Sequence, residues 1–260
     1  MNKISLLFIS VFPVFAIGRY IYLRDKDKEP FGLLFKLFLG GIGSCVCVIF
    51  LSMILSRIFP ILQMNVYYLN FFDLIIYVFI FIAFLEEFCK WFFVYRISYC
   101  NVNFDRLYDM IVYSVFVSLG FACIENILYV FEKGFLVGVV RAILAVPGHA
   151  CDGVFMGYHL GMSKYHFLHG NKEKSRKSLI LSIVVPSILH GIYDFCLFSR
   201  MLLFFIIFVI FIITLFVLTM KKIKTVSSIN GRIKYVDNFC SECGRKVDSD
   251  FCPTCGRKNY

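Results

Sequence analysis

The chain has 260 residues, 60% of them hydrophobic, with 32 phenylalanines and a formal net charge of +10. The apolar residues fall in blocks of about twenty between short polar loops, which excludes a soluble globular domain and leaves a polytopic helical membrane protein. Phe, Ile and Leu run without in-out alternation, which argues against a membrane β-barrel, and the basic excess sits in loops and tail, where the positive-inside rule accounts for it without nucleic acid.

The first span is expected at about 4–23; no small-residue cleavage site follows it, so it reads as a retained helix rather than a signal peptide. The second, about 31–58, opens after Pro30 and carries Gly40-Gly41-Ile42-Gly43, small residues that permit close helix approach. The third, about 71–95, holds Glu86 and Glu87. The fourth, about 107–131, contains Phe121 to Asn126, and the fifth, about 135–162, contains Arg141, Pro147-Gly148-His149 and Asp152. After a basic loop come the sixth, about 178–198, with His190 to Asp194, and a plain apolar seventh, about 201–220. The fold class is therefore all-α: a transmembrane helical bundle of about seven spans. Lys and Arg concentrate in the loops after spans one, three and five and in the tail, which predicts a multi-pass cell-membrane protein with its N-terminus outside and its C-terminus cytoplasmic.

Two adjacent carboxylates inside an apolar span are expensive, at roughly 2.5–3.5 kcal/mol for each charge at a helix centre. Glu86 and Glu87 therefore read as chemistry. Glu86 and Lys90 share a helix face at i, i+4, so Lys90 is expected to compensate Glu86 while Glu87 points elsewhere. Glu125 and Asn126 stand in an apolar turn, His149 and Asp152 are three apart, and His190 and Asp194 are four apart. The bland reading, acids locked to Lys90 for packing alone, does not require acids and imidazoles on three further spans. Arg141 either snorkels or pairs with an acid, and Asp152 serves equally well as a packing hydrogen bonder or a site residue.

Neighbouring carboxylates out of bulk water resist ionising together, which suits one of them to activate a water and return its proton to a leaving amine. Histidines with an Asn or Arg would stabilise the oxyanion. The same set could instead hold a metal ion. There is no Gly-x-Ser-x-Gly and no His-Glu-x-x-His.

Four ordered motifs, Glu86-Glu87-x-x-Lys90, Phe121-x-x-x-Glu125-Asn126, Pro147-Gly148-His149 with Gly157-Tyr158-x-x-Gly161, and His190-Gly-x-Tyr-Asp194, resemble the PrsW family of intramembrane proteases. More distantly they are similar to the CAAX prenyl endopeptidases, which have a histidine where this chain has Glu125. The resemblance covers about residues 70–200. It implies cleavage of a single-pass membrane protein, typically an anti-sigma factor, with Glu86 and Glu87 as catalytic acids. Glu125, His149 and His190 would complete the site, with Lys90, Asn126 and Asp194 in support. The competing class is a proton-coupled transporter using the same cluster, although no internal repeat divides the chain into halves.

The tail is a separate unit. Cys240-x-x-Cys243 and Cys252-x-x-Cys255, each followed by glycine and separated by eight residues, have the spacing of a structural Zn²⁺ site. The expected division is a protease domain at 1–220, a linker at 221–238 and a zinc ribbon at 239–260, too short to fold without metal. The ribbon is a candidate dock for a cytoplasmic protein partner; the other expected partners are the membrane substrate and the lipid bilayer.

Overall fold

The computed structural model describes residues 3–229, 233, 240, 243, 245 and 251–256. Its α-helices are α1 (Lys3–Arg24), α2 (Phe31–Ile58), α3 (Phe71–Ile76), α4 (Leu85–Ser98), α5 (Leu107–Lys133), α6 (Phe135–Ile143), α7 (Ala145–Leu168), α8 (Lys172–Phe198) and α9 (Leu202–Ser228). A π-helical segment, Tyr77–Phe84, joins α3 to α4.

Among the described residues, six stretches are long and apolar enough to cross a membrane: α1, α2, α5, Phe135–Leu168, α8 and α9. The stretch 71–98, expected as a further span, is helical throughout, but the π segment interrupts it and it carries Glu86, Glu87 and Lys90. The sequence patterns gave neither this π segment nor the break in the fifth span at Leu144. Pro147 has no amide N–H, and its ring crowds the carbonyl four residues earlier, at Ile143, where α6 stops. Helix α8 starts earlier than the apolar core of the expected sixth span, because the Asn171 side chain accepts from the Lys174 N–H at 3.0 Å and caps the basic turn. The last helix runs to Ser228, so the first residues of the expected linker are helical.

Helix α5 is the spine of the bundle. Ile111, Val112, Val115, Val117 and Ala122 are fully buried, whereas α9 exposes Leu202, Leu203, Phe205 and Ile210, as an apolar helix facing lipid can. Two glycine contacts hold the spine. A Cβ on Gly41 would lie 2.0 Å from the Val117 carbonyl oxygen, and one on Gly157 would lie 2.4 Å from that of Met110, so α2 and α7 meet α5 backbone to backbone. At the end of α5, Gly134 takes φ 89°, a left-handed turn that sends the chain into α6.

The loops alternate between two faces. Arg106 meets Asp27 at 3.1 Å, Tyr99 meets Ser163 at 3.1 Å, and the Ile233 N–H donates to the Asp105 carbonyl at 2.6 Å, which gathers the loops after α1, α4 and α7 and the start of the tail. On the other face Arg200 stacks on the Tyr67 ring at 3.4 Å.

Candidate active site

Four helices bring ionisable groups to one place between these faces. Glu86, Glu87 and Lys90 come from α4, Phe121, Glu125 and Asn126 from α5, His149 and Asp152 from α7, and His190 and Asp194 from α8. Local sequence makes the convergence feasible. A Cβ on Gly191 would lie 2.4 Å from the Phe79 ring, so glycine at this position lets the π segment lie against α8 and delivers Glu87 to His190. The π segment also resets the phase of the helix just before the two acids, a placement π-helices often have.

Lys90 is fully buried and is the hub. Its Nζ donates to Glu87 Oε1 at 2.6 Å, lies 3.1 Å from His149 Nδ1 and 3.6 Å from Glu86 Oε2, and sits 4.0 Å above the centre of the Phe121 ring. The expected Lys90–Glu86 pair is present at 3.6 Å, but Glu87, expected to point elsewhere, holds the ammonium more closely at 2.6 Å and faces the site. Glu87 Oε1 also lies 2.9 Å from His190 Nδ1. Glu86 Oε2 is buried without a hydrogen-bond partner, 3.9 Å from His190 Nε2. Asp194 Oδ2 is 3.5 Å from the same nitrogen.

A second chain of contacts runs through α5. His149 Nε2 is 2.8 Å from Glu125 Oε2, which also accepts from Arg141 Nη2 at 2.7 Å. Arg141 Nε donates to Asn126 Oδ1 at 2.9 Å, and Asn126 Nδ2 donates to the Ser10 carbonyl of α1 at 2.8 Å. An ammonium can only donate, so His149 Nδ1 accepts from Lys90 and the ring proton sits on Nε2, facing Glu125. Both His149 nitrogens are thereby used. Arg141, which the sequence left between snorkelling and pairing, pairs, and still has N–H groups to offer.

A cavity of about 240 Å³ opens onto this cluster. Glu86, Glu125, Arg141, His149, Asp152, His190 and Asp194 line it with apolar residues including Ile82, Val140, Leu189 and Leu215, whereas Glu87 and Lys90 stand behind. All eight ionisable or amide residues singled out in the sequence thus belong to one connected group. Arg141 and Asp152 join it; three-residue spacing from His149 was the only signal for Asp152, whose Oδ1 is buried without a partner.

Among the described residues, one group of donors at this cluster could hold a metal ion, and a second lies in the tail. Glu87, His149, Asp152 and His190 each bring one ligand atom within 4.8 Å of the others, and so do Cys240, Cys243, Cys252 and Cys255. In the second, Cys240 Sγ is 3.4 Å from Cys255 Sγ and Cys243 Sγ is 3.4 Å from Cys252 Sγ, close to the edge of a thiolate tetrahedron around one ion, about 3.8 Å. Gly244 lies outside the described residues; Gly256 takes φ 72°.

Comparison with known proteins agrees with the motifs. The family model for the PrsW family intramembrane metalloprotease matches residues 29–219. Protease PrsW of Oceanobacillus iheyensis is 38% identical over 194 residues, 75% of this chain and 83% of that protein. Protease PrsW of Bacillus subtilis is 38% identical over 195 residues (74% and 83%), and that of Clostridioides difficile 34% over 202 (75% and 80%). No solved structure matches.

Proposed function

From the premise that this chain belongs to the PrsW family of intramembrane proteases, we propose that it is an endopeptidase that cuts a single-pass membrane protein, such as an anti-sigma factor, with a water activated by Glu86. The observation that carries this reading is the contrast between the two acids. Glu87 is hydrogen-bonded by Lys90 and His190 and stands behind the cavity, whereas Glu86 lines the cavity and its Oε2 has no hydrogen-bond partner, with Lys90 and His190 at 3.6 and 3.9 Å.

In this reading Glu86 takes a proton from a water as the water oxygen bonds to the scissile carbonyl carbon. Arg141, on the cavity wall with N–H groups to spare, donates to the oxyanion. Glu86 then returns the proton to the amide nitrogen as the C–N bond breaks. His190, between Glu86 and Asp194, orients the acid, and Glu125, Asn126 and His149 hold Arg141 in place. Lys90 and His190 hold Glu87 in place behind Glu86.

The four-donor group favours a second reading. Two imidazoles and two carboxylates fit a zinc ion in type and number, and an orphaned Asp152 oxygen faces them. Lys90, however, is within hydrogen-bonding reach of two of those donors, so an ammonium and a dication compete for one place. An ion held there by Glu87, His149, Asp152 and His190 would polarise the carbonyl and acidify a bound water. The tail cysteines form, in our proposal, a structural Zn²⁺ ribbon that docks a partner on the cytoplasmic face.

The test is cleavage of a candidate membrane substrate by purified full chain, read as new termini. Glu86→Gln is expected to abolish it with abundance unchanged. A variant with all four tail cysteines changed to serine separates the mechanisms: a zinc-free, still proteolytic protein supports the acid. About one metal per chain, with activity lost on chelation and restored by zinc, supports the metal. Cleavage by purified Glu86→Gln at the parent rate refutes the assignment.

A further inference from the structure

A second group of acids, at the other end of α5, takes no part in this chemistry. Asp25 and Glu29 lie in the turn between α1 and α2, Asp109 lies in the first turn of α5, and their relative exposures are 3%, 6% and 0%. One carboxylate oxygen from each lies within 4.8 Å of the other two. Asp109 Oδ2 accepts from the N–H groups of Asp105 and Arg106 at 3.0 and 2.6 Å, but its Oδ1 is buried without a partner. Asp25 Oδ1 accepts from the Asp27 N–H at 3.3 Å, and its Oδ2 is likewise buried and unpartnered. Glu29 accepts from the Tyr113 hydroxyl.

Nearby cations are turned to other acceptors. Lys28 Nζ donates to the backbone carbonyls of Tyr22 and Asp25, and Arg106 pairs with Asp27 at 3.1 Å and Asp105 at 3.8 Å. Three buried carboxylates thus converge with two orphaned oxygens and, among the described residues, no cation in hydrogen-bond contact with them. A buried charge in that position needs a counter-ion or a proton.

We propose that Asp25, Glu29 and Asp109 bind a hard divalent cation, Mg²⁺ or Ca²⁺, which fastens the α1–α2 turn to the start of α5. The donors are all oxygen, which selects such ions over zinc or copper. Metal–oxygen distances of about 2.3–2.6 Å let two ligands of one Ca²⁺ stand up to about 5 Å apart, so the three oxygens are near enough without rearrangement. Burial pushes the carboxyls of Asp25 and Glu29 up, Glu29 to about 7, with Asp25, Asp105 and Asp27 adding to the effect at Glu29. The ion would act on stability, and through α5 on the placement of Glu125 and Asn126.

The experiment uses full chain purified in detergent, in divalent-free buffer without chelator, so that any metal on the tail cysteines stays in place. Mg²⁺ or Ca²⁺ at about 100 times its Kd is expected to raise the melting temperature by roughly 5 °C over matched NaCl. Tb³⁺ is expected to give tyrosine-sensitised emission through Tyr113, displaced by Ca²⁺. Asp25→Asn and Asp109→Asn should each lose both responses; because Asp109 also caps α5, Asp25→Asn carries the test if the other fails to fold. No response beyond NaCl, a parental response in Asp25→Asn, or stabilisation by lowering the pH from about 8 to 6 with no effect of either cation would overturn the proposal.

Discussion

Lys90 offers a direct measure of how the candidate site is held together. Lys90→Met keeps the length and apolar stem of the side chain and removes the ammonium. Glu87, fully buried, then keeps only its contact with His190, and His149 Nδ1 loses its donor. Removing one partner of a buried ion pair costs about 3–5 kcal/mol, because the other charge is left without compensation. For a chain of this size about 2–4 °C of melting temperature accompanies each kcal/mol, so a fall of roughly 6–20 °C is expected. The partner variant Glu87→Gln should cost less, since a neutral amide can still accept from Lys90. The double variant should recover much of the loss, because burying a neutral amide beside a thioether leaves no unpaired charge. Tryptophan fluorescence during thermal unfolding in detergent measures all three, with Trp91, the residue next to Lys90, as the reporter. A melting temperature for Lys90→Met within about 2 °C of the parent would refute the hub, as would losses that simply add in the double variant.

Glycine placement makes a second prediction: Gly41→Ala, whose Cβ would meet the Val117 carbonyl at 2.0 Å, should destabilise by about 1–3 kcal/mol or more, whereas Gly32→Ala, with nothing within 4 Å, should be neutral or stabilising. Both are read by thermal unfolding. For topology, a cysteine at Asn65 in a cysteine-free background should label from outside and a reporter after Lys221 should read cytoplasmic; labelling only from inside would reverse the orientation. Finally, Glu29 binds a proton in the folded chain up to about pH 7 but in the unfolded chain only to about 4.5. The folded state thus holds more protons between those values, and stability in divalent-free buffer should fall as pH rises from about 4.5 to 7. Glu29→Gln should flatten that slope, and an unchanged slope would count against the burial argument.

The membrane class, the helices and the members of the site were legible because each rests on a local signal: apolar length for a span, and an ionisable residue where hydrocarbon should be. The partners were not. Lys90 is three residues from Glu87 and four from Glu86, both one turn away and both within ion-pair distance, and helix spacing alone does not say which acid it holds more closely. The choice is made by His149 and His190, which arrive from α7 and α8 and draw Lys90 and Glu87 together. The break before Pro147 follows from an elementary rule about proline, but hydrophobicity runs straight through it. The π segment had no signal in Tyr77 to Phe84, where nothing polar marks a change of pitch. Nothing in the sequence joins Asp109 to Asp25 and Glu29, some eighty residues earlier; only the fold shows that they meet.

The glycine contacts on α5 bear on how the protein would respond to the lipid around it. Helices answer a bilayer thicker or thinner than their apolar length by tilting, and a tilt between neighbours changes the distances of any groups they share. Here α2 and α7 touch α5 through backbone at Gly41 and Gly157, where there is no side chain to yield, so these three would tilt as one body. The distances among Glu125, His149 and Asn126 would then be indifferent to acyl-chain length. Helix α6 is different: its Gly138 faces the side chain of Ile9, which can give. Because α6 supplies Val137, Val140 and Arg141 to the cavity wall, lipid thickness would adjust the width of the entrance, leaving the α5–α7 half of the machinery at constant spacing.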